Sequence, residues 1–497
     1  MNYAIAVIDI GMTNKLIAIY DDSLTQLETR YRNFKPVIVN GLETHDLDAM
    51  EEWMITELKD LAAKYPLRAL AVSAHGGTFV CVGKDGKNAL PCVYYTHEPG
   101  EDFHRRFYGR FGDARKLQAR TGTPAFGAMI NPAKGIFFAR ENFGEEFKNV
   151  SAVLPYPQYW GFRFTGKIGA ECTYMGNHTY LWDQIDGRLS SVAHDLGIAS
   201  LLPGKLQKPW DVLGCVSAEF AERAGLKGDT IVTLGIHDSN ASLLPHFARK
   251  GEKGFVLNSS GTWCVIMKPG ERYGFAPGEL GKVVFFNTSA FGTPIKTAIF
   301  LGGLEFEVWS KFFLDSCALM DPPSWNEEVY RSVLKEKCLF LLPELKQGSG
   351  QFPDSRARIV ENGESYFFGS RDFSLPCACD AEKSFAALRI SLVMQTLTAL
   401  ERTGIENGTE VYTEGGFRKD ESYNRLLASA LPGNKVFISS IDEATAIGAA
   451  MTAKMALSGK SLADLADDFE ISYLEQEKGF FPELYEYRQE WLKEAEK

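Results

Sequence analysis

Apolar positions fall into two rhythms along the chain. Short apolar runs at 3–10 and 16–20 flank Gly11-Met12-Thr13-Asn14-Lys15, which predicts a strand, a polar turn and a second strand. Met50, Met54, Leu58 and Leu61 recur at helical spacing and predict a helix over 50–65. Residues 68–73 and 79–82 read as strands on either side of His75-Gly76-Gly77, with Lys84-Asp85-Gly86-Lys87 closing the hairpin. Residues 229–235 predict a strand that runs into Ile236-His237-Asp238. Residues 254–258 and 264–267 repeat the strand, polar turn, strand pattern around Ser259-Ser260-Gly261-Thr262-Trp263. Further on come an apolar helix over 385–400, a strand over 410–413 entering Glu414-Gly415-Gly416, and a helix over about 420–431. Ser440-Ile441-Asp442-Glu443 has the form of a capping box for an Ala-rich helix over 444–457, and 481–497 reads as a charged terminal helix.

The same device therefore occurs twice, half a chain apart. Strand, polar turn and strand appear at 3–20 and 255–267, and a strand running into Gly-Gly appears at 69–77 and 411–416. That spacing is too long for a solenoid and predicts two related α/β halves facing across a cleft. A length of 497 residues agrees, because single cores rarely grow beyond roughly 250–300. The boundary is expected near Leu243–Lys253, with an exposed linker over 247–253, giving domains 1–245 and 246–497.

Composition narrows the function classes. A net charge of −11 without a long Lys/Arg run disfavours a nucleic-acid partner. No apolar run approaches 18 residues, so no membrane span is expected. The N-terminus lacks a basic region and a small-residue cleavage site, and reads as a first strand rather than a signal peptide. The nine cysteines are scattered, with only Cys377 and Cys379 close together and no CxxC pair. They are expected to be reduced, mostly buried thiols in a cytoplasmic protein.

Candidate chemistry lies in the turns. A phosphate is held by backbone N–H groups that no side chain obstructs, and turns rich in Gly, Ser and Thr supply them. One such turn from each half could clamp a polyphosphate from both sides. In the first, Gly11 permits close approach while Thr13, Asn14 and Lys15 offer a hydroxyl, an amide and a cation. Asp9 stands at a strand end, where a carboxylate suits Mg²⁺. Ser259, Ser260, Gly261 and Thr262 have the same donor character in the second. Asp238 follows an apolar strand beside His237 and is the candidate base for an acceptor hydroxyl. The same position also suits a helix N-cap, where the dipole would hold the carboxylate ionised and lower its pKa. His75 and His237 each end a strand beside a candidate site, whereas the other six histidines read as surface or core residues.

In this order the motifs resemble the FGGY carbohydrate kinases, of the sugar kinase, actin and heat-shock ATPase superfamily. They are Asp9-Ile-Gly-Met-Thr13, His75-Gly-Gly-Thr-Phe79, Gly235-Ile-His-Asp238, Ser259-Ser-Gly-Thr-Trp263, Gly415-Gly-Phe-Arg-Lys419 and Glu443-Ala-Thr-Ala-Ile-Gly448. The resemblance spans roughly residues 3–458 and implies a ribonuclease-H-like α/β core in each domain. It implies ATP and Mg²⁺ as cosubstrate and cofactor, a sugar as acceptor, and Asp238 as base. Asp9 would serve Mg²⁺. Gly11, Thr13, Asn14, Lys15, Ser260, Gly261 and Thr262 would serve the phosphates, and Gly415, Gly416 and Asp420 the adenosine side. His75, Gly76, Gln158, Trp160, His237 and Asp238 would form the sugar side, with Glu171 in the same region. The arm that phosphorylates ketoses such as rhamnulose and fuculose is the most similar, which implies a 6-deoxyketohexose, a ketopentose or a related polyol. Such kinases are monomers, dimers or tetramers, so a homodimer is among the expected assemblies.

The chain departs from the family pattern at several positions. Met12 stands where a small hydroxyl residue is usual, Phe417 replaces a third Gly, Asp420 replaces Asn or Ser, and His97-Glu98 replaces an Asp-Arg pair. Two rival readings keep the fold: a non-catalytic sugar or nucleotide sensor, and an ATPase that drives a partner's conformational change.

Overall fold

The computed structural model describes residues 2–270, 272–370 and 380–497, and the Cys377/Cys379 pair lies outside them. Two mixed sheets of seven strands each organise the molecule. The first contains β1 (Ala4–Ile10), β2 (Asn14–Asp21), β3 (Gln26–Asn33), β4 (Leu67–Ala74), β5 (Val212–Cys215), β6 (Ile231–Thr233) and β7 (Ile236–His237). Its order is β5-β6-β4-β1-β2-β3, with β7 beside β4. The second contains β8 (Phe255–Ser260), β9 (Cys264–Pro269), β10 (Val284–Thr288), β11 (Pro294–Phe300), β12 (Glu410–Gly415), β13 (Lys435–Ser439) and β14 (Tyr473–Glu475), in the order β10-β11-β9-β8-β12-β13-β14.

The internal repeat is real at the level of register. β1 pairs antiparallel with β2 and parallel with β4, and β8 pairs antiparallel with β9 and parallel with β12. Asp9 lies opposite Ser73 in the first parallel pair, and Ser259 lies opposite Glu414 in the second. The polar turns sit at the carboxyl ends of these parallel strands, where open α/β sheets bind ligands.

Helix α1 (Leu47–Lys64) covers one face of the first sheet, with Met50, Met54, Leu58 and Leu61 buried as their spacing predicted. It starts three residues earlier than the apolar pattern because Asp46 caps it, accepting from Ala49 N–H. Two further helices exchange places between the halves. α2 (Asp238–Lys250) follows β7 but lays Phe247 against Phe255 and His246 against Tyr412 of the second sheet. α3 (Ala444–Ser458) follows β13, and its Ala446, Ala449 and Ala450 join a core with Ile5, Val7 and Ala71 of the first sheet. The two helices touch closely: a Cβ on Gly448 would stand 1.9 Å from the Ala241 carbonyl oxygen.

This crossing shortens the expected linker to 251–254, which is largely exposed. Leu243, Leu244 and Phe247 are buried and helical through Lys250, because the stretch packs the two halves together. The capping box is also absent. Glu443 precedes α3 without a side-chain cap, and Ser440 instead accepts from Ser472 N–H. The strand expected over 229–235 breaks at Gly235, which adopts φ +83 against the Val72 carbonyl and Pro157, and pairing with β4 resumes at Ile236. The strand Phe79–Gly83 leaves the first sheet and pairs with Val150–Pro155 rather than with β4. Among the described residues no helix is long and apolar enough to cross a membrane, and Cys81, Cys92, Cys172 and Cys264 are buried.

Candidate active site

Three parallel strands of the first sheet end side by side. Ile10 pairs with Ala74, His237 pairs with Ala74 from the other side, and His75 N–H donates to the Ile10 carbonyl. Gly11, His75 and Asp238 therefore leave the sheet at one edge. In the second sheet Ser260 pairs with Gly415, which sets the 261–263 turn beside Gly415 and Gly416.

Between these edges lies a cavity of about 280 Å³, near the small end for small-molecule sites. His75, Gly76, His237 and Asp238 line it from the first half, and Ser259 and Gly261 from the second. The sequence reading missed several of its walls: Tyr95, Phe126, Asn177, His178, Phe285 and Asn287. His178 is thus neither a surface nor a simple core residue. Its φ of +36 is uncommon for a side-chain-bearing residue, and its ring stands edge-on to Phe126. None of these six positions carries a motif. They come from loops and a distant strand that only folding assembles.

The cavity's histidines are all neutral. Burial pushes His75 down to about 4, and His178 and His237 down to about 3. His75 Nδ1 donates to the Gly76 carbonyl at 2.8 Å, which leaves buried Nε2 as an acceptor without a partner. His178 Nδ1 and Asn177 Oδ1 are likewise buried without partners. Asn177 Nδ2 lies 2.6 Å from His237 Nε2, which is 3.3 Å from Asp238 Oδ1. Gly76 is what allows this convergence, since a Cβ there would stand 2.7 Å from His178 Nε2 and 3.0 Å from His237 Nε2. No Lys or Arg lines the cavity among the described residues.

Asp238 is the first residue of α2, and His237 is the cap. Ser239 N–H donates to Asp238 Oδ1 at 2.5 Å and the Ser239 hydroxyl at 3.2 Å. The expected fall in its pKa is reversed. Burial raises it, against the opposing pull of His75 and the Ser239 hydrogen bonds. A raised carboxylate is the stronger base.

The first turn holds mixed outcomes. Asp9 is pushed up to about 8, first by burial and then by the charge of Asp238, and its Oδ1 is buried without a hydrogen-bond partner. Thr13 and Asn14 are exposed. Lys15 is not presented to solvent: it is buried, its ammonium donates to the Met12 carbonyl at 2.7 Å, and burial lowers it to about 8. It braces the turn from beneath.

In the second half, Gly261, Thr262, Gly415 and Gly416 are exposed. Ser260 is not free to act as a donor. Its hydroxyl donates to the Glu414 carbonyl at 2.5 Å and accepts from Phe417 N–H at 2.8 Å. Phe417 is buried against Phe306 and Tyr423, so the residue that replaces the third Gly is a core anchor. Asp420 is likewise committed: it caps helix α4 (Glu421–Ala430) through Tyr423 N–H at 2.8 Å and pairs with Arg389 Nε at 2.9 Å.

Gln158 and Trp160 lie off the cavity. Gln158 Nε2 donates to the Leu234 carbonyl at 2.7 Å, and Trp160 is fully buried against Tyr156 and Tyr159. Glu171, pushed up to about 7 by burial, accepts from Thr173 and Tyr174 N–H and caps a single helical turn. Glu98 is held by the N–H groups of Gly100 and Ala128.

The sequence pattern of the carbohydrate kinase FGGY C-terminal domain matches residues 252–461. That segment is similar to the C-terminal domain of the FGGY carbohydrate kinases. The matched segment begins just after α2 and ends just beyond α3. The chain is also 26% identical over 140 residues to a rhamnulokinase of Enterococcus faecalis (strain ATCC 700802 / V583), a stretch covering 28% of this chain and 28% of that relative's length. A carbohydrate kinase from Novosphingobium aromaticivorans superposes with a TM-score of 0.80 at 25% identity, covering 99% of this chain and 98% of that one. A ligand-bound xylulose kinase from Lactobacillus acidophilus gives 0.77 at 16% identity, covering 99% and 97%. The chain has the two-domain α/β fold of these two kinases over nearly its whole length.

Proposed function

We propose that this protein transfers the terminal phosphoryl group of ATP to a hydroxyl of a neutral sugar, a ketose or related polyol, with Asp238 as base. The observation that carries the reading is the shared cavity. Asp238 and three neutral histidines line it from one half, and the Gly261 turn of the FGGY domain lines it from the other. Neutral imidazoles and amides with unpartnered atoms suit a polyhydroxylated ligand, because each can take or give one hydrogen bond. A cavity without Lys or Arg favours an uncharged acceptor over a sugar acid. The ketose is supported by the similarity to the rhamnulokinase.

In this reading Asp238 holds the acceptor hydroxyl and takes its proton as the oxygen bonds to the γ-phosphorus and the bond to ADP breaks. Backbone N–H groups of the 11–15 and 261–263 turns stabilise the phosphoryl oxygens. Asp9, with its buried unpartnered oxygen, fits a divalent cation, and Mg²⁺ there would neutralise phosphate charge. Closure of the two halves would keep water from competing as acceptor.

The test is ADP release from Mg-ATP with a panel of ketopentoses, 6-deoxyketohexoses, hexuloses and glycerol, wild type beside Asp238→Asn. Turnover with one neutral acceptor, lost in the variant, is the expected result. Binding of sugar and nucleotide without turnover would replace the kinase reading with the sensor one.

A further inference from the structure

Helix α2 reaches well beyond the cavity. It begins at Asp238, and His246 lies eight residues along it, ~12 Å at 1.5 Å per residue. The His246 ring is fully buried and both nitrogens are engaged. Nε2 lies 2.8 Å from Glu414 Oε1, and Nδ1 lies 3.0 Å from the Tyr473 hydroxyl. Tyr412 stacks on the ring at 5.2 Å with an interplanar angle of 18°. Glu414 immediately precedes Gly415, and its carbonyl accepts the Ser260 hydroxyl, which in turn holds Phe417 N–H. A continuous series of contacts thus runs from the helix that carries Asp238 to the paired turns of the FGGY domain.

The pair is not explained by stability. Both side chains are buried, and Glu414 Oε2 has no hydrogen-bond partner. Burying an incompletely satisfied polar pair commonly costs more than a well-packed apolar pair would. The equivalent place in the first half, by strand register, is Ser73, so the repeat itself does not require an acid there.

We propose that His246 is a positioning residue that, through Glu414, couples the acceptor cavity to the nucleotide-side turns at Ser260 and Gly415. The inference rests on the kinase reading above. Coupling of this kind is reciprocal: a sugar that orders α2 tightens nucleotide binding, and the nucleotide tightens sugar binding by the same factor.

The test compares full-length wild type, His246→Leu/Glu414→Met and His246→Gln, using Mg-ATP and the panel sugar with the highest rate. KM for each substrate is measured at low and saturating levels of the other, beside a thermal melt. In the double variant we expect a melting temperature within a few degrees of wild type. Sugar KM at low ATP should stay within threefold, ATP KM at saturating sugar should rise at least tenfold, and the mutual enhancement should disappear. His246→Gln, which keeps a donor for Glu414, should recover most of that enhancement. A folded double variant with the enhancement intact would overturn the proposal. So would a parallel loss of melting temperature and both KM values, which marks a purely structural pair. If wild type phosphorylates no panel sugar, the kinase reading itself fails and takes this inference with it.

Discussion

The two halves use the same strand ends in opposite ways. In the first, the acid sits on the leading strand of the repeat, as Asp9 of β1 opposite Ser73 of β4; in the second it sits on the parallel partner strand, as Glu414 of β12 opposite Ser259 of β8. Each acid keeps one buried oxygen without a partner, Asp9 Oδ1 and Glu414 Oε2, and the other oxygen of Glu414 is met by His246. The contrast extends to the surrounding loops. His75 Nε2, Asn177 Oδ1 and His178 Nδ1 of the first half are unpartnered. Ser260 and Asp420 of the second are spent on holding their own loops. On the proposed function, the first half would read a ligand mainly through side chains, and the second would present mainly backbone, with Asn287 Oδ1 as its unpartnered side-chain atom at the cavity. A repeat can thus preserve topology while dividing recognition between its copies.

That division orders the expected effects of mutation. The largest follows from Asp238→Asn, which should lower turnover by roughly 10²–10⁴-fold, the usual worth of a positioned base, with ADP affinity by calorimetry unchanged. Retention of near-normal turnover would remove Asp238 from the base role.

Next come two glycine substitutions that should separate the halves. Gly415→Ala places a Cβ 1.9 Å from the Ser260 carbonyl oxygen at φ +73, where the neighbour is backbone and cannot swing away. A loss of about 1–3 kcal/mol in urea unfolding is expected, together with weaker ATP binding. Gly76→Ala instead displaces His178 and His237, and should raise sugar KM at least tenfold with ATP KM unaltered. Equal effects on both substrates from either variant would erase the proposed division.

The pH profile gives a subtler test. Asp238 is raised, so its basic form is lost as pH falls through a value above the ordinary carboxylate range. The acid limb of kcat/KM should lie there. Stability has a separate acid limb. The three cavity histidines are held near 4, 3 and 3 against 6.5 when unfolded, so the folded state loses stability as pH falls from about 6.5 toward 4. His178→Gln should flatten that slope in pH-dependent melting.

The smallest effect is expected from Asp420→Asn. Because Asp420 serves a cap and Arg389 rather than a ligand, ATP KM should change less than threefold. A large change would return this residue to the nucleotide site.

Much of the candidate site was legible along the chain. The turns at Gly11, Gly261 and Gly415, the His75-Gly76 pair and Asp238 all stand at strand ends whose apolar runs announce them. Gln158 and Trp160 misled because a polar or aromatic residue in a plausible region carries no mark of which way it points. One ties down the Leu234 carbonyl, and the other fills the core. Lys15 misled similarly: its position in a polar turn did not reveal that its chain folds beneath that turn.

Local pattern by itself determined the two halves, their strand–turn–strand repeats and the loops that could meet phosphate. These depend on hydrophobic period and on the backbone freedom of glycine, both of which act within a few residues. Tertiary structure alone decided the exchange of α2 and α3 between the sheets, the neutral histidine cavity, the upward shift of Asp238 and the engagement of Glu414 by His246. Each of these is set by burial and by contacts between separate segments of the chain. Desolvation and packing respond to what surrounds a group in space, which neighbours in sequence do not specify.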